Sequence, residues 1–445
     1  MTERLIQPTR ILVLGGGGRE HALAWKLAAE PGVNAVLVAP GSDAIASEPR
    51  VRRLAEVDPA DPSAVVAAAR AEAVELVVVG PEAPLAAGVA DALAWAGIPC
   101  CGPTAAAARI ETSKAFCHEV AGAAGVRMAR AGVFAPEDGA SAEAFVRRLA
   151  DDGAGVVLKA DGLAGGKGVI VADSPDQALE LLPGFLTGRP AGRPALVVEE
   201  RLEGREASVI VVADGERAVA LPAARDHKRL CDDDRGPNTG GMGAYSPVPD
   251  LPDVAVEAIV ETVHRPILRE LARRGGPFRG FLYAGLMLTA DGPALLECNA
   301  RLGDPEAQAI LPRVGVALGP WLLAAAQGRL PADAPVRLPA VPGATVAIVL
   351  AAHGYPNTPR RGDPIEGLDA AAATGALVFH AGTLARRRPE GGFGTNGGRV
   401  VAVVGRGADL AAAGSMAERA ADAISWDGLQ RRHDIAVAEP VGVDA

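Results

Sequence analysis

Apolar runs alternate with helical patterns through the first hundred residues of the chain. Short, nearly continuous apolar runs that end in Gly or Pro are typical of buried parallel strands, and they occur at 10–15, 34–40 and 75–80. The stretches between and after them carry apolar residues at helical spacing, as in HALAWKLAAE, SAVVAAARA and AAGVADALAWAG. The pattern predicts a domain in which helices cover a parallel sheet.

After this first part, the pattern changes to strands that follow one another directly. The segments GVVLKA, KGVIVAD, ALVVEE and ASVIVVADGERAVAL favour hairpin strands, and an Ala-Asp-Gly-Pro turn joins GFLYAGLMLT to PALLECN. We expect helices near 253–273 and from about 306 to 327. A Pro-rich linker at 330–342 precedes a last α/β segment with the strands TVAIVLAAH, ALVFHAG and RVVAVVG and the helix AAAGSMAERAADAI.

Composition narrows the classes of function. The 445 residues carry a formal net charge of −10, which disfavours a general nucleic-acid binder. No apolar stretch is long enough to predict a membrane span, and the apolar run near the N-terminus is too short for a signal peptide. The five cysteines are odd in number and form no Cys-x-x-Cys pair, which indicates reduced thiols. We expect a soluble cytoplasmic enzyme.

Lysine is rare in this chain, and its positions are informative. Five lysines stand beside 39 arginines, and four of the five, Lys114, Lys159, Lys167 and Lys228, lie in Gly-rich or acidic motifs. A compact ammonium suits a phosphate oxygen in a tight site better than a guanidinium does. The alternative is codon bias with a random remainder.

A glycine run follows the first predicted strand. Gly15 to Gly18, followed by Arg19, begin a helix whose backbone N–H groups form an anion site. A dinucleotide fingerprint is disfavoured because Glu20 stands at the third glycine position and no acidic residue ends the next strand. A substrate phosphate or a purely structural turn are the remaining interpretations. Glu82, after the third strand, either contacts substrate or only favours the start of a helix.

The segment from Lys159 to Gly168, KADGLAGGKG, predicts a β-hairpin with a glycine-rich tip that carries Lys167. It is not a Walker loop, because Asp161 replaces the first glycine, Gly168 replaces Ser/Thr and a strand follows. A tip of this kind would close over a polyphosphate and exclude water. The alternative is a plain flexible loop.

Three polar residues end the strand PALLECN. Alternation places Glu297, Asn299 and Arg301 on one face. Oxygen ligands at i and i+2 suit Mg²⁺ that is shared with substrate phosphates, and Arg301 would neutralise the same phosphates. A polar strand end without a ligand is the alternative.

In combination, the lysine hairpin, the Val-Glu-Glu-Arg-Leu segment and Glu-x-Asn-x-Arg resemble the ATP-grasp superfamily. More narrowly, GGGGREHALAW, VGPEAPL, KADGLAGGKGV, DHKR, GPNTGGMGAYSP, the run from Glu297 to Glu306, HAGT and TNGGRV resemble the glycinamide ribonucleotide synthetases. The resemblance implies a multidomain α/β protein with a Rossmann-like N-domain (1–112), an ATP-grasp domain (113–330, with a lid at about 134–203) and a small C-terminal domain (338–445).

The resemblance also implies an activity, which is ligation of glycine to 5-phosphoribosylamine with conversion of ATP to ADP and phosphate through glycyl phosphate, the second step of purine synthesis. Glu297 and Asn299 would hold Mg²⁺ or Mn²⁺. The residues that would bind ATP are Lys114, Lys159, the hinge Glu199, Glu200, Arg201 and Leu202, and Glu206 at the ribose.

The resemblance implies catalytic roles for Lys167, Asp226, Arg301 and Asp304. Either Asp226 or Asp304 would bind the amine. The residues that would bind the other substrates are Gly17, Gly18, Arg19, Glu82, Lys228, Asn238, Thr239, Gly240, Gly241, Asn396, Gly397, Gly398 and Arg399. We expect a monomer with small-molecule partners and no nucleic acid or membrane. Cys298, where an aromatic residue is usual, and the acidic run 231–234 depart from the family pattern.

Three competing interpretations are weaker. Another ATP-grasp ligase, such as a biotin-dependent carboxylase subunit, is disfavoured by GPNTGGMG and TNGGR. A Rossmann oxidoreductase rests on the glycine run alone. A nonenzymatic ATP-binding regulator is disfavoured by the intact Glu297, Asn299 and Lys167.

Overall fold

The first part of the chain is a parallel sheet with helices around it. We describe residues 5–163, 168–387 and 391–437 from a computed structural model. Its first elements are β1 (Arg10–Gly15), α1 (Gly18–Ala28), β2 (Ala35–Pro40), β3 (Val51–Arg53), α2 (Pro62–Ala71), β4 (Leu76–Val79), α3 (Glu82–Ala86), α4 (Val89–Trp95) and β5 (Cys100–Cys101). The strand order β3-β2-β1-β4-β5, with every pair parallel, confirms the predicted α/β class.

The helix predicted from the pattern AAGVADALAWAG is present as α4, which begins at Val89, and a short helix that was not predicted, α3, precedes it and ends at Ala86. Gly88 between them has a φ of 82°, a left-handed conformation that glycine adopts without a steric penalty and that no helix interior contains.

A small antiparallel sheet forms the next unit, which we call the lid sheet. The elements here are α5 (Ala105–Thr112), α6 (Lys114–Ala123), β6 (Ala131–Phe134), α7 (Gly139–Asp151), β7 (Val156–Ala160), β8 (Val169–Val171), α8 (Pro175–Leu186) and β9 (Leu196–Glu200). The strand order is β6-β9-β7-β8, and α7 and α8 share a separate apolar core with it. The predicted hairpin is present, because Lys159 of β7 pairs with Val169 of β8. The predicted tip residue Lys167 lies outside the described residues.

A second antiparallel sheet lies in the centre of the molecule. The elements here are β10 (Arg205–Asp214), β11 (Ala218–Ala220), β12 (Arg225–Asp226), β13 (Arg229–Cys231), β14 (Arg235–Asn238), β15 (Gly243–Ser246), α9 (Asp253–Ile259), a π-helical turn (Val260–His264), α10 (Arg265–Arg273), β16 (Arg279–Thr289), β17 (Gly292–Asn299), α11 (Glu306–Ile310) and α12 (Gly319–Ala326). The order β11-β10-β16-β17 places the end of β17 at the edge of this sheet.

The predicted helix from 306 to 327 is interrupted. It consists of α11, a 3₁₀ turn (Leu311–Arg313) and α12, and the segment between them is extended at Val314. Proline at 312 lacks the N–H that would continue α11, and Val314 instead bridges Ala340 of the linker.

The last sheet combines strands from two regions of the sequence. The C-terminal elements are β18 (Ala344–Ala351), β19 (Pro364–Ile365), α13 (Leu368–Ala373), β20 (Leu377–His380), β21 (Thr383–Ala385), β22 (Phe393–Thr395), β23 (Arg399–Gly407) and α14 (Leu410–Ala423). The strand order is β12-β15-β18-β23-β20, and Gly243 of β15 pairs with Ile348 of β18. The residues before and after the Pro-rich linker therefore share one sheet, which the sequence pattern did not predict. No helix among the described residues has the length and apolarity needed to cross a bilayer.

Candidate active site

A single large cleft of about 1960 Å³ lies between the lid sheet, the central sheet and the C-terminal part. Most of the residues that the sequence analysis selected line it. They are Arg19, Glu82, Lys114, Lys159, Glu199, Glu200, Arg201, Leu202, Glu206, Asp226, Lys228, Asn238, Thr239, Gly240, Glu297, Asn299, Arg301, Asp304 and Arg399. Segments up to 380 residues apart in the chain thus meet at one place.

The remaining described candidates lie behind the cleft wall. Gly17, Gly18, Gly241 and the turn Asn396–Gly398 do not line the cleft. Gly241 has a φ of 111°, and a Cβ there would meet Pro305 at 2.4 Å, so it is required by the packing of its loop. A Cβ on Gly398 would meet the Tyr355 ring at 2.4 Å. These residues pack behind the side chains that line the cleft and do not line it themselves.

One end of the cleft, which we call the nucleotide end, is built from α6, β7 and β9. The Lys159 ammonium pairs with Glu199 at 2.7 Å and donates to the Leu296 carbonyl at 3.1 Å. His118, one turn after Lys114 on α6, contacts the other Glu199 oxygen at 2.8 Å. Burial opposes ionisation of Glu199, yet His118 and Lys159 hold its pKa below the ordinary value. Lys159 is therefore held in place by an ionised carboxylate.

Lys114 reaches the same end from the start of α6. Its ammonium donates to the Gly162 carbonyl at 3.1 Å, and burial lowers its pKa although Glu297 and Asp161 oppose the shift. The Ser113 hydroxyl caps α6, and the Asp161 carboxylate accepts from the Ala115 N–H at 3.0 Å. Asp161 of the motif KADG therefore accepts a hydrogen bond from a backbone N–H in the first turn of α6.

The predicted hinge, Glu199 to Leu202, crosses from the lid sheet to the central sheet. The N–H of Arg201 donates to Gly155 at 2.8 Å, and the Glu200 carboxylate pairs with Arg130 at 2.6 Å. These two groups are consequently already used within the protein. Among the described residues, the Leu202 N–H has no acceptor, which leaves it as the hinge amide that is available to a ligand.

Glu297 and Asn299 lie at the cleft end of β17. Their partners across the strand pair are Gly285 and Tyr283, and both side chains line the cleft. Burial would raise the pKa of Glu297, but Lys228, Lys159 and Lys114 hold it below the ordinary value. The described residues contain no group of three or more acidic, His or Cys side chains that would enclose a metal. One ionised carboxylate and one amide oxygen suit Mg²⁺ that takes its other ligands from phosphates and water.

Arg301 does not present the unpaired guanidinium that its motif suggested. It pairs with Glu82 at 2.9 Å and with Glu111 at 2.9 Å, so it joins the first part of the chain to the central sheet. Glu111 also accepts the Ala300 N–H at 2.8 Å. Burial disfavours the cation, yet the two carboxylates raise the pKa of Arg301 above its ordinary value.

The backbone N–H groups of the glycine run are also partly paired within the protein. The Glu20 carboxylate accepts the Gly17 N–H at 2.7 Å and pairs with Arg19 at 2.7 Å. Arg19 in turn donates to the Leu302 carbonyl at 2.9 Å. The residue that disfavoured a dinucleotide fingerprint therefore occupies part of the anion site that the run would otherwise offer.

The opposite end of the cleft, which we call the amine end, is rich in carboxyl groups. Desolvation raises the pKa of Asp226 to about 8, against the effect of Lys228 and with further increases from Glu306 and Glu206. Lys228 itself pairs with Glu206 at 2.7 Å, so Glu206 faces an ammonium in this structure. Beneath them, the Ser208 hydroxyl contacts the Tyr283 hydroxyl at 2.8 Å and Glu306 at 3.2 Å.

Asp304 differs from Asp226 in its surroundings. Its carboxylate accepts from Gln308 at 2.7 Å and faces Arg399 at 3.4 Å. Although burial opposes it, Arg399 and Arg19 hold the pKa of Asp304 below its ordinary value. The two acids that the sequence could not separate therefore differ in the direction of their pKa shift, which is upward for Asp226 and downward for Asp304.

The Gly-rich loop after β14 connects the amine end to the C-terminal part. Thr239 donates to the Lys228 carbonyl through its N–H at 2.8 Å and its hydroxyl at 2.7 Å. The Gly240 N–H donates to the Tyr355 hydroxyl at 3.0 Å, and its carbonyl accepts from Arg399 at 2.6 Å. Tyr355 was not among the predicted residues.

A buried arginine clamps the hairpin β13–β14 that precedes this loop. Arg432 is 1% exposed and pairs with Asp234 and Asp434, each at 2.6 Å. The Asp233 N–H donates to Asp434 at 2.9 Å, and the His433 N–H donates to Asp232 at 2.8 Å. The acidic run that looked like a departure from the family pattern is thus one half of this clamp.

Sequence reasoning missed His118, Glu111, Tyr355 and Arg432. Only His118 carried a usable signal, because it lies at i+4 from Lys114 and shares its helix face. Tyr355 and Arg432 meet the site from distant parts of the chain, and Glu111, although close to Lys114 in sequence, pairs with the distant Arg301.

Comparison with known proteins is consistent over the whole chain. Three family models match in order: the phosphoribosylglycinamide synthetase N domain at 9–111, the ATP-grasp (A) domain at 112–307 and the C domain at 345–438. The phosphoribosylamine–glycine ligase of Streptomyces coelicolor is 47% identical and that of Vibrio parahaemolyticus 44%, each over 96% of this chain and at least 97% of the relative.

Solved structures agree. The phosphoribosylamine–glycine ligase from Thermotoga maritima superposes with a TM-score of 0.77 at 32% identity, covering 96% of this chain and 99% of that one. A biotin carboxylase domain from Hydrogenobacter thermophilus reaches a TM-score of 0.69 at 16% identity, which shows a shared fold alone.

Proposed function

Because the chain belongs to the phosphoribosylglycinamide synthetase family, we propose that it ligates glycine to 5-phosphoribosylamine and converts ATP to ADP and phosphate, the second step of purine synthesis. The observation that carries this proposal is that one cleft brings together paired lysines, the Glu297–Asn299 oxygens and the carboxyl-rich amine end. A carboxylate is a poor acyl donor, so a ligase must first turn one of its oxygens into part of a better leaving group.

The nucleotide end supplies the binding groups for ATP. Lys114 and Lys159 contact the phosphates, where preset ammonium groups stabilise charge without reorganisation. The Leu202 N–H binds the adenine, and the hinge residues Glu199, Glu200 and Arg201 support it through their own pairings within the protein. We assign Glu206 to the ribose from the sequence resemblance alone, since in this structure it pairs with Lys228. The role of Lys167 stays a prediction from the sequence.

Glu297 and Asn299 would hold a divalent cation, Mg²⁺ or Mn²⁺. Their carboxylate and amide oxygens fit a hard cation, and the lysines around them keep Glu297 ionised. A cation held there would supply positive charge that offsets the charge of the phosphates.

The reaction takes place between the two ends. A glycine carboxylate oxygen attacks the γ-phosphorus and ADP leaves; the amine nitrogen then attacks the acyl carbon of glycyl phosphate and phosphate leaves. Asp226 accepts the proton that the nitrogen loses when it is in its ionised form, which becomes populated as the pH approaches its pKa of about 8. Asp304, kept ionised, fixes Arg399 and the loop Asn238–Gly241.

The remaining predicted residues support binding of the two other substrates. Lys228, Arg19, Arg301 and Glu82 line the cleft directly, and the wall glycines Gly17, Gly18, Gly397 and Gly398 together with Asn396 shape it. We also propose that the chain is a cytoplasmic protein and a monomer. The described exposed large apolar residues lie on separate elements, which supports the monomer. Light scattering on the purified protein tests the monomer.

Isotope transfer tests the function. Glycine with ¹⁸O in its carboxylate should put one labelled oxygen into the released phosphate, and ADP should appear only when glycine and phosphoribosylamine are both supplied. An adenylating ligase would instead release AMP that carries the label. Unlabelled phosphate or AMP would overturn the proposed mechanism.

A further inference from the structure

A histidine of α1 contacts the C-terminal part of the molecule. His21 lies four residues after Gly17 of the glycine run and is 2% exposed. Its Nδ1 atom accepts a hydrogen bond from the His380 N–H at 2.9 Å, and its Nε2 atom contacts the Glu48 carboxylate at 3.2 Å. His380 belongs to β20, an edge strand of the last sheet, so this N–H pairs with a side chain instead of another strand. The motifs GGGGREHALAW and HAGT therefore meet at one hydrogen bond.

These contacts determine which nitrogen of the His21 ring carries the proton. A backbone N–H can only donate, so the Nδ1 atom that accepts it carries no proton. The ring proton then lies on Nε2, which faces Glu48. The two nitrogens consequently have different roles, because Nε2 holds a residue of the first domain whereas Nδ1 holds the C-terminal part.

The side chain of His380 does not supply a cation to the cleft. Its Nδ1 atom contacts the Thr383 hydroxyl at 3.1 Å, and its ring packs against Phe393 with 4.8 Å between the ring centroids. Burial and the neighbouring His21 lower the pKa of His380 to about 4, so this side chain is uncharged at neutral pH. The motif HAGT thus acts through its backbone and not as a cation for a phosphate.

The HAGT loop, residues 380–383, lies between two glycine segments. A Cβ placed on Gly18 of the glycine run would lie 3.5 Å from the Ala381 Cβ. On the other side, a Cβ placed on Gly382 would approach the Gly397 Cα to 2.7 Å, which is closer than a side chain tolerates. The loop is therefore closely packed on both sides, and a displacement of the loop is transmitted to its neighbours.

The HAGT loop also holds the backbone of a residue that lines the cleft. The Gly382 N–H donates to the Arg399 carbonyl at 2.9 Å. The Arg399 guanidinium donates to the Gly240 carbonyl at 2.6 Å and faces Asp304 at 3.4 Å, and all three residues line the cleft. One hydrogen bond and one loop therefore connect His21 to the amine end.

We propose that His21 is a positioning residue for phosphoribosylamine, which acts through its Nδ1 hydrogen bond to the HAGT loop. His21 touches no substrate itself, because it is buried and does not line the cleft. Loss of the Nδ1 acceptor leaves the His380 N–H unpaired, releases the start of the loop and displaces Arg399 at the amine end. The inference rests on the proposed function, which supplies the substrate whose binding changes.

Two substitutions separate the roles of the two ring nitrogens. In His21→Gln, the side-chain amide reaches the position of Nε2 and donates to Glu48, but nothing accepts the His380 N–H. In His21→Asn, the amide oxygen takes the position of Nδ1 and accepts that N–H, but Glu48 loses its partner. The KM for phosphoribosylamine should rise about tenfold in His21→Gln, because a buried donor is left unpaired, and should stay close to the wild-type value in His21→Asn. We expect kcat and the Kd of an ATP analogue to be unchanged in both variants.

A general loss of stability would give the opposite order. Asparagine is a poorer helix former than glutamine, so His21→Asn should lower the Tm more than His21→Gln does if only the folding of α1 matters. A normal KM in the less stable variant therefore separates positioning from stability. His353→Gln is the matched control, because His353 is exposed and does not line the cleft, and its KM should equal that of the wild type.

A measurement on the unmodified chain tests the hydrogen bond itself. In protein labelled with ¹⁵N at its histidines, two-bond ¹H–¹⁵N spectra report which ring nitrogen carries the proton, and the spectrum of His21→Asn identifies the His21 signals. We expect the His21 proton on Nε2. A proton on Nδ1 would overturn the inference even if neither variant folds, since that atom could not then accept the His380 N–H.

The kinetic comparison gives a second way to overturn the inference. An equal KM in His21→Gln and His21→Asn, whether normal or raised, would show that the Nδ1 contact does not position the loop. If the wild type still transfers ¹⁸O to phosphate, that result leaves the proposed function standing. A wild type that transfers no label overturns the proposed function instead, and this inference with it.

Discussion

The two ends of the cleft differ in the ionisation of their buried carboxyl groups. At the nucleotide end, Lys159 is held by an ionised Glu199, so positive charge is fixed in advance of an anionic ligand. At the amine end, Asp226 shares a desolvated space with Glu206 and Glu306, and its pKa rises until it holds a proton near neutral pH. In the proposed function, the first end binds the charged nucleotide and the second moves a proton. Four substitutions should separate them.

The largest effect is expected where the two ends meet. Glu297→Gln removes the only carboxylate of the proposed cation site, and turnover should fall by at least about 100-fold, because even the outer partners of metal ligands cost about 10–100-fold. Glu216→Gln, an exposed acid on the turn before β11, is the matched control and should behave as the wild type. Near-normal turnover of a folded Glu297→Gln at low Mg²⁺ would reject the assignment.

Lys159→Met should impair the nucleotide end alone. A charge-assisted hydrogen bond is worth about 1.5–3 kcal/mol, so the Kd of an ATP analogue should rise about 10- to 100-fold. Lys159→Arg should not restore it, since a guanidinium fork does not fit the place of a compact ammonium. If the KM for phosphoribosylamine rose as much as the Kd of the ATP analogue, the two ends would not be separable.

Arg432→Gln should impair the amine end alone. Loss of the clamp removes the arginine partner of Asp234 and Asp434 and loosens the hairpin before the Gly-rich loop. The KM for phosphoribosylamine should rise about tenfold, below the roughly 100-fold that a 1 Å displacement of a reacting group costs, while ATP-analogue binding is unchanged. Arg431→Gln is the control, because Arg431 pairs with Glu418 and Asp422 of α14 and not with the hairpin. Weaker ATP-analogue binding in Arg432→Gln would contradict the separation.

The smallest effect is a pH dependence of stability. Asp226 keeps its proton up to about pH 8 when folded but releases it near pH 4 when unfolded, so this group makes the folded protein less stable as pH rises between those values. The Asp226→Asn variant does not lose stability in this way, because asparagine does not ionise. Its Tm relative to the wild type should therefore increase between pH 5 and pH 8, as differential scanning fluorimetry would record. A constant difference would mean that Asp226 is ionised throughout.

The comparison also shows which parts of the site a sequence can predict. The parallel sheet, the lysine hairpin and the strand that carries Glu297 were predictable, because period and turn residues are local properties. The pairing of Arg301 with Glu82 and Glu111, and that of Arg432 with Asp234, were not predictable, because in each case the partner lies about 200 residues away in the chain. Motifs identified the residues of the cleft but not their ionisation states, which depend on these distant neighbours.

The interruption between α11 and α12 has the same cause at a smaller scale. Proline at 312 was visible in the sequence, yet apolar spacing on either side still favoured one helix. The competing bridge from Val314 to Ala340 depends on where the linker runs, and the pattern carries no information about that.

The pairing of β15 with β18 means that the C-terminal part is not a detachable module. A chain that stops before Ala344 would leave β15 as an open edge with unpaired N–H and C=O groups, and such edges recruit other strands. During synthesis, the nascent central region would meet the same exposure until β18 emerges. The last quarter of the chain therefore also protects the rest from self-association, a role separate from anything it does in the cleft.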